Sequence, residues 1–331
     1  MYSVLRTEQA NALVQHANSN TPPIQFQTKA STHPKVCVGI ASVARKGADY
    51  LQGAVGSVLE GLTAAEREEL YLIILIAHSN PAEHPAYVEP WLQTLADKVL
   101  VYDPDLVDIE YIRTLETPEA KRFAREKGLL DYTYLLKTCG SLNTSYTVML
   151  EDDAIALDGW YHRTKHALDV AERKSEAEGV EQSTARYLSN ETIALLSFGV
   201  TPLLIVLFFA AGRNTMLPIH EGVHAMPKFG CCSQGFVFPQ DRIDDLVSWY
   251  ETQKVGYVDM LTEKYANQNK EVRWALTPSV LQHVGSRSSK TNLLGKYRER
   301  LTVSERIWNF RFEENDPGEL RLEHRLQDEG V

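Results

Sequence analysis

The run Tyr146–Leu150 (YTVML), followed directly by Glu151, Asp152 and Asp153, constrains the fold of this chain more than any other feature. A short apolar run rich in β-formers predicts a buried strand. Three carboxylates at its end are costly to bury unless a cation compensates them, because desolvating an isolated carboxylate is expensive. A hard divalent ion with oxygen ligands is the simplest compensation, and the alternative is a solvated acidic turn.

The composition is that of a folded globular protein of 331 residues, 44% of them hydrophobic and 24% charged. A net charge of −10 argues against general nucleic-acid binding, which requires a basic face. The four cysteines show no zinc-site spacing: Cys37, Cys139, Cys231 and Cys232. The adjacent pair is strained for bridging itself, so each member can pair elsewhere, for example with Cys139, or all four can be free thiols.

Strands and helices alternate over the first 150 residues, which predicts a doubly wound, Rossmann-like mixed α/β sheet flanked by helices. The predicted strands are Val36–Ile40, Leu70–Ala77, Val99–Tyr102 and the run before the acids, and the predicted helices are Tyr50–Leu62 and Thr117–Leu136. In such sheets ligands bind beyond the carboxyl ends of the strands. Glu151–Asp153 and the Arg45–Lys46 loop after the first strand are therefore expected to converge on one ligand, the acids through a metal and the bases through phosphates.

Three further segments lie outside this alternation. Residues 1–35 are polar and predict a flexible N-terminal segment, and residues 296–331 predict a charged tail whose last stretch is poorly ordered. Ile193–Gly212 runs for 20 residues without a charge and predicts a transmembrane helix, the alternative being a buried helix of a soluble core.

Shorter elements are predicted downstream of the acids. Gly159–Glu178 is typical of a charged, solvent-facing helix, and Phe236–Phe238 of a short strand. Asp241 is expected to cap the helix that follows it, and Asp259 lies at another helix start.

Several segments together resemble a known family: VCVGI with its basic loop, AHSNPAEHP, DYTYLLKTC, YTVMLEDDAIALDGW, GCCSQGFVFP, VDMLTEKYA and PSVLQHVGSRSS. In order and spacing they are similar to the eukaryotic N-acetylglucosaminyltransferase IV-like glycosyltransferases. The closer match is to the branch containing the Golgi transferase that adds N-acetylgalactosamine to glycosylphosphatidylinositol (GPI) anchors, with its fungal relatives. The resemblance covers roughly Val36 to Ser289.

The resemblance implies a GT-A glycosyltransferase that uses a UDP-sugar and Mn²⁺ (or Mg²⁺), with inversion at the sugar. Its nucleotide-sugar-binding half would span 36–175, an insertion 176–215, and the acceptor-binding half 216–295. The metal and nucleotide-sugar motif would be Glu151, Asp152 and Asp153, with Asp153 the direct metal ligand and Asp152 nearer the ribose or sugar. His283 is implied as a second metal ligand and Asp259 as the general base; the alternatives are a loop histidine and a plain helix cap. Arg45 and Lys46 would bind phosphate or the acceptor.

The family also carries a membrane hairpin within its catalytic domain, whereas this sequence contains one apolar span. A single crossing would place the acids and His283 on opposite sides of the membrane, so one arm of the hairpin is expected to be missing here. The leading hypothesis is a Golgi or endoplasmic-reticulum membrane enzyme with a lumenal catalytic domain that acts on a GPI-anchor glycan. The alternatives are an N-glycan-branching N-acetylglucosaminyltransferase and a non-catalytic membrane scaffold.

Overall fold

The computed structural model of the protein describes residues 1–19, 29–45, 49–117, 124–181, 220–226, 234–285 and 310–328. The strands are β1 (Val36–Ser42), β2 (Leu70–Ile76), β3 (Lys98–Leu100), β4 (Tyr146–Glu151), β5 (Ala154–Ala156), β6 (Gly222–Ala225), β7 (Gly235–Pro239), β8 (Trp274–Thr277) and β9 (Leu281–His283). The helices are α1 (Tyr2–Ala17), α2 (Leu51–Leu59), α3 (Ala64–Glu69), α4 (Pro90–Leu95), α5 (Ile109–Glu116), α6 (Ala124–Gly140), α7 (Trp160–Glu181), α8 (Ile243–Gln253), α9 (Val258–Asn269), α10 (Phe310–Glu313) and α11 (Pro317–Asp328).

A five-stranded sheet in the order β3-β2-β1-β4-β7 forms the centre of the fold. The first four of these strands are parallel, and β7 runs antiparallel to β4. Two small antiparallel ladders, β5–β9 and β6–β8, complete the sheet structure of the described residues. The predicted mixed α/β sheet is thereby confirmed.

The two faces of the sheet pack against different helices. On β1 and β2, Val38, Ile40 and Leu72 point into a core shared with α1, α2 and α4, whereas Cys37 and Ile73 point into a second core with α6 and α8. Strands buried on both faces read as nearly continuous apolar runs, because neither face needs polar side chains. The apolar runs at β1, β2 and β4 show this pattern, in agreement with the predicted strands.

The N-terminal segment departs from the sequence prediction, since residues 2–17 form helix α1 instead of a flexible lead-in. Its polar composition does not indicate burial, although several of its side chains, Arg6 among them, are buried. The fully buried Arg6 donates hydrogen bonds to the carbonyls of Ser57 and Ala156, at 2.9 and 3.0 Å. At Gly56 a β-carbon would lie 2.4 Å from the carbonyl oxygen of Ala10, so the absence of a side chain lets α1 and α2 pack closely.

The C-terminal prediction also needs correction, because residues 317–328 form helix α11. This helix docks through only two buried side chains, Leu320 and His324, and one of them is polar. An apolar periodicity is therefore missing from its sequence. Asp241 is not a helix cap either: it lies in a 3-10 turn, and α8 begins after Arg242 without a side-chain cap.

A disulfide joins Cys37 in β1 to Cys139 near the end of α6, closing a sequence separation of 102 residues. It ties the helix to the sheet beside the strand that carries the acids. Cys139 is thus paired within the sheet core, while Cys231 and Cys232 lie outside the described residues.

The predicted membrane span, Ile193–Gly212, also lies outside the described residues. Among the helices that the structure does describe, none combines the length and the apolar character needed to cross a bilayer.

Candidate active site

The acidic motif lies at the carboxyl edge of the central sheet. In the parallel pairing of β1 with β4, Ala41 is opposite Glu151, so Ser42 and the loop after it reach the same edge as Asp152. This arrangement brings the first loop and the acids to the same edge, and a shared ligand stays a prediction. Asp152 and Asp153 are both buried, which contradicts a freely solvated acidic turn.

Asp152 is compensated by a side chain of the chain itself. Arg45 binds it through two hydrogen bonds, from Nη1 to Oδ2 and from Nη2 to Oδ1, both 2.6 Å long. The Ser42 hydroxyl donates a third bond of 2.6 Å to Oδ2. Bidentate guanidinium–carboxylate contacts are among the strongest polar contacts in proteins. The cation expected from three buried acids is therefore, for Asp152, an arginine. Lys46 lies outside the described residues.

Asp153 lies against His283, the residue predicted from the far end of the chain. Strand β9 pairs with β5 so that His283 is opposite Ala154, and the His283 Nε2 atom lies 3.4 Å from Asp153 Oδ2. Burial acts to raise the pKa of Asp153. The hydrogen bond with His283 and the charge of Arg45 outweigh it, so this pKa lies below the ordinary aspartate value.

Glu151, Asp153 and His283 form what we call the edge cluster, in which one ligand atom from each residue lies within 4.8 Å of the others. Two carboxylates and one imidazole are a donor set suited to Mn²⁺ or Mg²⁺ with further oxygen ligands. The side chains therefore fit the cation that the resemblance implies.

Gly285 packs against Asp153, a contact that the sequence alone does not reveal. A β-carbon at this position would lie 2.0 Å from Asp153 Oδ2 and 2.6 Å from its Cγ. The Val284 amide also donates a 2.9 Å hydrogen bond to the Asp153 carbonyl. The backbone after β9 thus packs directly on the acidic side chain and fixes its position.

A buried histidine extends the network behind Asp152. The His84 Nδ1 atom accepts a 3.2 Å bond from the Ala86 amide, so its Nε2–H donates to Ser42 Oγ at 3.1 Å, and Ser42 donates to Asp152. Burial lowers the pKa of His84, in agreement with a neutral ring. The segment that carries it is one of those that resemble the family, but no role for this histidine follows from the sequence pattern.

His78 follows β2 and lies next to the same loop. Its Nε2 atom accepts a 2.8 Å hydrogen bond from the Ala44 amide, and its ring makes an edge contact with His84 at 5.9 Å between centroids. Burial lowers the pKa of His78 as well. Ser42 at the end of β1 and Ala44 in the loop that carries Arg45 are thereby each bonded to a histidine from the segment after β2.

Asp259 lies in the first turn of α9, as its sequence position predicts, and accepts a 2.8 Å bond from the Met260 amide. Burial raises the pKa of Tyr250, and the charge of Asp259 adds to the rise. Tyr250 makes an edge contact with Tyr132, whose pKa is raised by burial and also by the charge of Glu151. The buried Tyr250 and the partly buried Tyr132 thus lie within the electrostatic influence of Asp259 and Glu151, respectively. The role of Asp259 as a base stays a prediction.

Comparison with known proteins gives a consistent but distant relationship. No protein-family model matches the chain. It is 31% identical over 128 residues to the mouse (Mus musculus) alpha-1,3-mannosyl-glycoprotein 4-beta-N-acetylglucosaminyltransferase C, which covers 35% of this chain and 26% of that protein. It is 21% identical over 294 residues to the B enzyme of Danio rerio, covering 85% of this chain and 47% of the relative.

A third relative, the A enzyme of Bos taurus, is 21% identical over 305 residues, covering 87% of this chain and 49% of the relative. The chain spans about half or less of the length of the curated relatives it matches. These relatives support the broader of the two resemblances, and they do not extend to the GPI-specific branch. The chain is weakly homologous to the N-acetylglucosaminyltransferase IV family of glycosyltransferases.

Proposed function

We propose that this chain is a metal-dependent, inverting glycosyltransferase that transfers an N-acetylhexosamine from a UDP-sugar to an N-glycan. The observation that carries the proposal is the convergence of Glu151, Asp153 and His283 at the carboxyl edge of a parallel sheet. In α/β sheets this edge is where ligands bind. The relatives named above add the reaction class, since each is named as a transferase of N-acetylglucosamine.

The proposed mechanism assigns each residue one task. Glu151, Asp153 and His283 would hold a divalent cation such as Mn²⁺, which when bound neutralises negative charge on the pyrophosphate of the leaving nucleotide. Arg45 holds Asp152 in a fixed orientation at the same edge, where that carboxylate can accept hydrogen bonds from ribose or sugar hydroxyls.

The acceptor side of the proposal depends on Asp259. The acceptor hydroxyl oxygen bonds to the anomeric carbon of the sugar while the bond from that carbon to the UDP oxygen breaks, which inverts the configuration. The hydroxyl proton passes to a carboxylate, for which Asp259 is the proposed base.

Two acceptors are supported by different observations. The names of the relatives favour an N-glycan, because all three act on an alpha-1,3-mannosyl glycoprotein according to those names. The uncharged run Ile193–Gly212 favours the GPI-anchor glycan, since that branch of the resembled family carries a membrane insertion within the catalytic domain. We place the N-glycan first because sequence similarity supports it directly.

The disulfide supports a proposal about location. Disulfides persist in oxidising compartments and are rare in the cytosol. The bond between Cys37 and Cys139 is therefore consistent with a catalytic domain in the lumen of the Golgi or endoplasmic reticulum, attached to its membrane.

Donor binding is the first test. The purified chain is titrated with UDP-GlcNAc, UDP-GalNAc and UDP-Gal, with and without Mn²⁺, beside an Asp153→Ala variant. We expect Mn²⁺-dependent binding of an N-acetylhexosamine donor by the parent protein and its loss in the variant. Asp169→Ala, at an exposed position on α7, is the matched control and should bind like the parent. Equal binding by the Asp153→Ala variant would refute the metal role.

Acceptor choice is a separate measurement. Transfer to a mannose-terminated N-glycan is compared with transfer to a GPI glycan, and both glycan classes are analysed in cells that lack the gene. Loss of N-glycan branches with intact GPI glycans would support the first acceptor, and the reverse pattern would support the second.

A further inference from the structure

A second group of metal-ligating side chains lies outside the candidate active site. Glu66 in α3, His162 in α7 and His324 in α11 each bring one ligand atom to within 4.8 Å of the other two. We call this group the clasp cluster, because its residues come from helices separated by up to 258 positions in sequence. Glu66 lies shortly before the amino end of β2, whereas the edge cluster lies at the carboxyl edge of the sheet.

The His324 ring is oriented by contacts at both nitrogens. Its Nε2 atom lies 2.8 Å from Glu66 Oε2, and its Nδ1 atom lies 3.3 Å from Asp158 Oδ1. Histidines that bind a metal usually donate their second ring N–H to a carboxylate, which fixes the tautomer. Asp158 is placed for that role, which directs Nε2 of His324 toward Glu66 and His162.

Glu66 is held before any metal binds, because it closes a capping box. Its carboxylate accepts a 2.9 Å hydrogen bond from the Thr63 amide, while the Thr63 hydroxyl accepts one from the Glu66 amide. Such a box fixes the side chain over the first turn of the helix. The oxygen that contacts His324 therefore needs little further ordering.

His162 also presents Nε2 to the cluster. That atom lies 3.1 Å from Glu323 Oε1, and the ring lies 5.0 Å from the His324 ring, tilted by 33°. Its Nδ1 atom is buried and makes no hydrogen bond in the described part of the chain. Gly159 allows this burial. Its backbone has a φ of +77°, which favours glycine, and a β-carbon there would lie 3.0 Å from His162 Nδ1. One nitrogen is thus covered by backbone, and the other faces the carboxylates.

A polar cavity of about 300 Å³ lies beside the cluster, on the side of Glu323. Glu323, which contacts His162, and Arg163, which pairs with Glu323, both line it. Four more acidic side chains line the same cavity, against one further arginine: Glu221, Glu314, Asp316 and Glu319. An excess of negative charge in a recessed cavity concentrates cations near it.

We propose that Glu66, His162 and His324 form a structural Zn²⁺ site, with Glu323 as the fourth ligand and Asp158 orienting His324. Two imidazoles and carboxylates in a nearly closed shell are a zinc donor set. Tetrahedral bonds of about 2.0–2.1 Å place the ligand atoms about 3.3 Å apart. The pairs now at 2.8 and 3.1 Å would therefore move slightly apart, while the more distant atoms of the cluster, all within 4.8 Å of one another, would move together. Bound there, the metal ties the C-terminal helix α11 to α3 and α7.

Cobalt and zinc binding to the full chain tests the site. The parent for the test is the Asp153→Asn variant, in which the edge cluster has lost a ligand. We expect it to bind one equivalent of Co²⁺ with the intense visible absorption of tetrahedral coordination, and to release it to Zn²⁺. X-ray absorption of the Zn²⁺-loaded protein should count two imidazole ligands, whereas the edge cluster contains one.

Variants then locate the site. His162→Gln and His324→Gln should each abolish the tetrahedral Co²⁺ absorption, and His166→Gln, an exposed histidine one turn further along α7, should leave it unchanged. A parent that binds no tetrahedral Co²⁺, a single imidazole in the X-ray spectrum, or full binding after His162→Gln would each overturn the proposal and leave a network of ion pairs only. The first two readouts need no change in the cluster, so they decide the matter even where a variant fails to fold.

Discussion

The edge cluster and the clasp cluster use similar side chains, but they are assembled differently. In the edge cluster, two ligands come from three consecutive residues at the end of β4, and β9 adds His283 through its pairing with β5. In the clasp cluster, Glu66, His162 and His324 come from three different helices, and the proposed fourth ligand, Glu323, comes from α11 as His324 does. The first is set by the sheet, whereas the second exists only once α11 has docked.

The difference also concerns charge. At the edge cluster an arginine, Arg45, binds the neighbouring Asp152 and also lies 3.7 Å from Asp153. At the clasp cluster the carboxylates of Glu66 and Glu323 are met mainly by imidazole nitrogens and by Arg163. A fixed guanidinium beside Asp153 repels a second cation and so favours one that binds reversibly, while imidazoles arranged around carboxylates suit a resident metal. We therefore expect the two clusters to separate function from stability.

The largest expected effect is on catalysis. Asp153→Asn should lower the transfer rate about 10²–10³-fold, because a preorganised electrostatic partner of the reacting centre contributes that much. The measurement is initial rate with saturating donor and Mn²⁺. His162→Gln, which alters the clasp cluster, should keep the rate within about twofold of the parent. Equal losses in both variants would show that the two clusters are not functionally distinct.

A smaller effect is expected when the buried ion pair beside the edge cluster is broken. Arg45→Met leaves the Asp152 carboxylate buried without its cation and should lower the free energy of unfolding by about 3 kcal/mol. Urea denaturation at pH 7 measures it.

The control pair is exposed: Arg113 lies 2.7 Å from Glu110 at the surface. Arg113→Met should change the free energy of unfolding by less than about 1 kcal/mol. The double variant Arg45→Met/Asp152→Leu should recover most of the loss, since it removes the uncompensated charge as well. Failure of this recovery would mean that Arg45 stabilises the fold through contacts other than Asp152.

The contrast between the two clusters also explains which parts of the fold and the site could be predicted from the sequence. The strands and the edge cluster could be predicted because consecutive apolar residues followed by acids describe a strand and its end locally. His283 entered through family resemblance alone. The pairing of Arg45 with Asp152 depends on which loop residue points back at the sheet, and a run of charges does not encode that direction.

Helices α1 and α11 could not be predicted for a related reason. Both are anchored by polar side chains, Arg6 and His324, whose partners are distant in sequence. Patterns of hydrophobicity assume that buried residues are apolar, so a helix docked by a buried arginine or histidine reads as exposed. The clasp cluster depends on α11 and was missed with it.

Gly285→Ala sharpens the view that the edge cluster is set by the sheet. The added methyl would overlap Asp153 Oδ2 and displace the carboxylate, so Mn²⁺-dependent donor binding should weaken about tenfold while the fold is kept. Titration with the UDP-sugar measures the change. Gly53→Ala is the control, because its β-carbon would meet the end of the Ile155 side chain at 3.2 Å and the Thr7 methyl group at 3.9 Å, and no atom of the edge cluster. Unchanged binding in Gly285→Ala would mean that the Asp153 position is not critical.

The smallest expected effect is a pH dependence that arises behind Asp152. Burial lowers the pKa of His84, so the folded protein keeps this ring neutral while the unfolded chain takes up a proton near pH 6.5. The unfolded state then binds more protons below that pH, and stability must fall as the pH falls through 6.5. His84→Gln should reduce the slope of the unfolding free energy between pH 6.5 and 5 by at most about 1.4 kcal/mol per pH unit, the limit for one proton.

His166→Gln, at the exposed position on α7, provides the control for that slope and should leave it unchanged. His78 is buried beside His84 and its pKa is lowered in the same direction, so some acid sensitivity should remain in the His84→Gln variant. An identical slope in the parent protein and in His84→Gln would mean that the folded protein takes up the proton on His84 Nδ1 as readily as the unfolded chain does, although that atom accepts the hydrogen bond from the Ala86 amide. The histidine would then be a structural spacer beneath the edge cluster, and acid would have to weaken that region through the carboxylates instead.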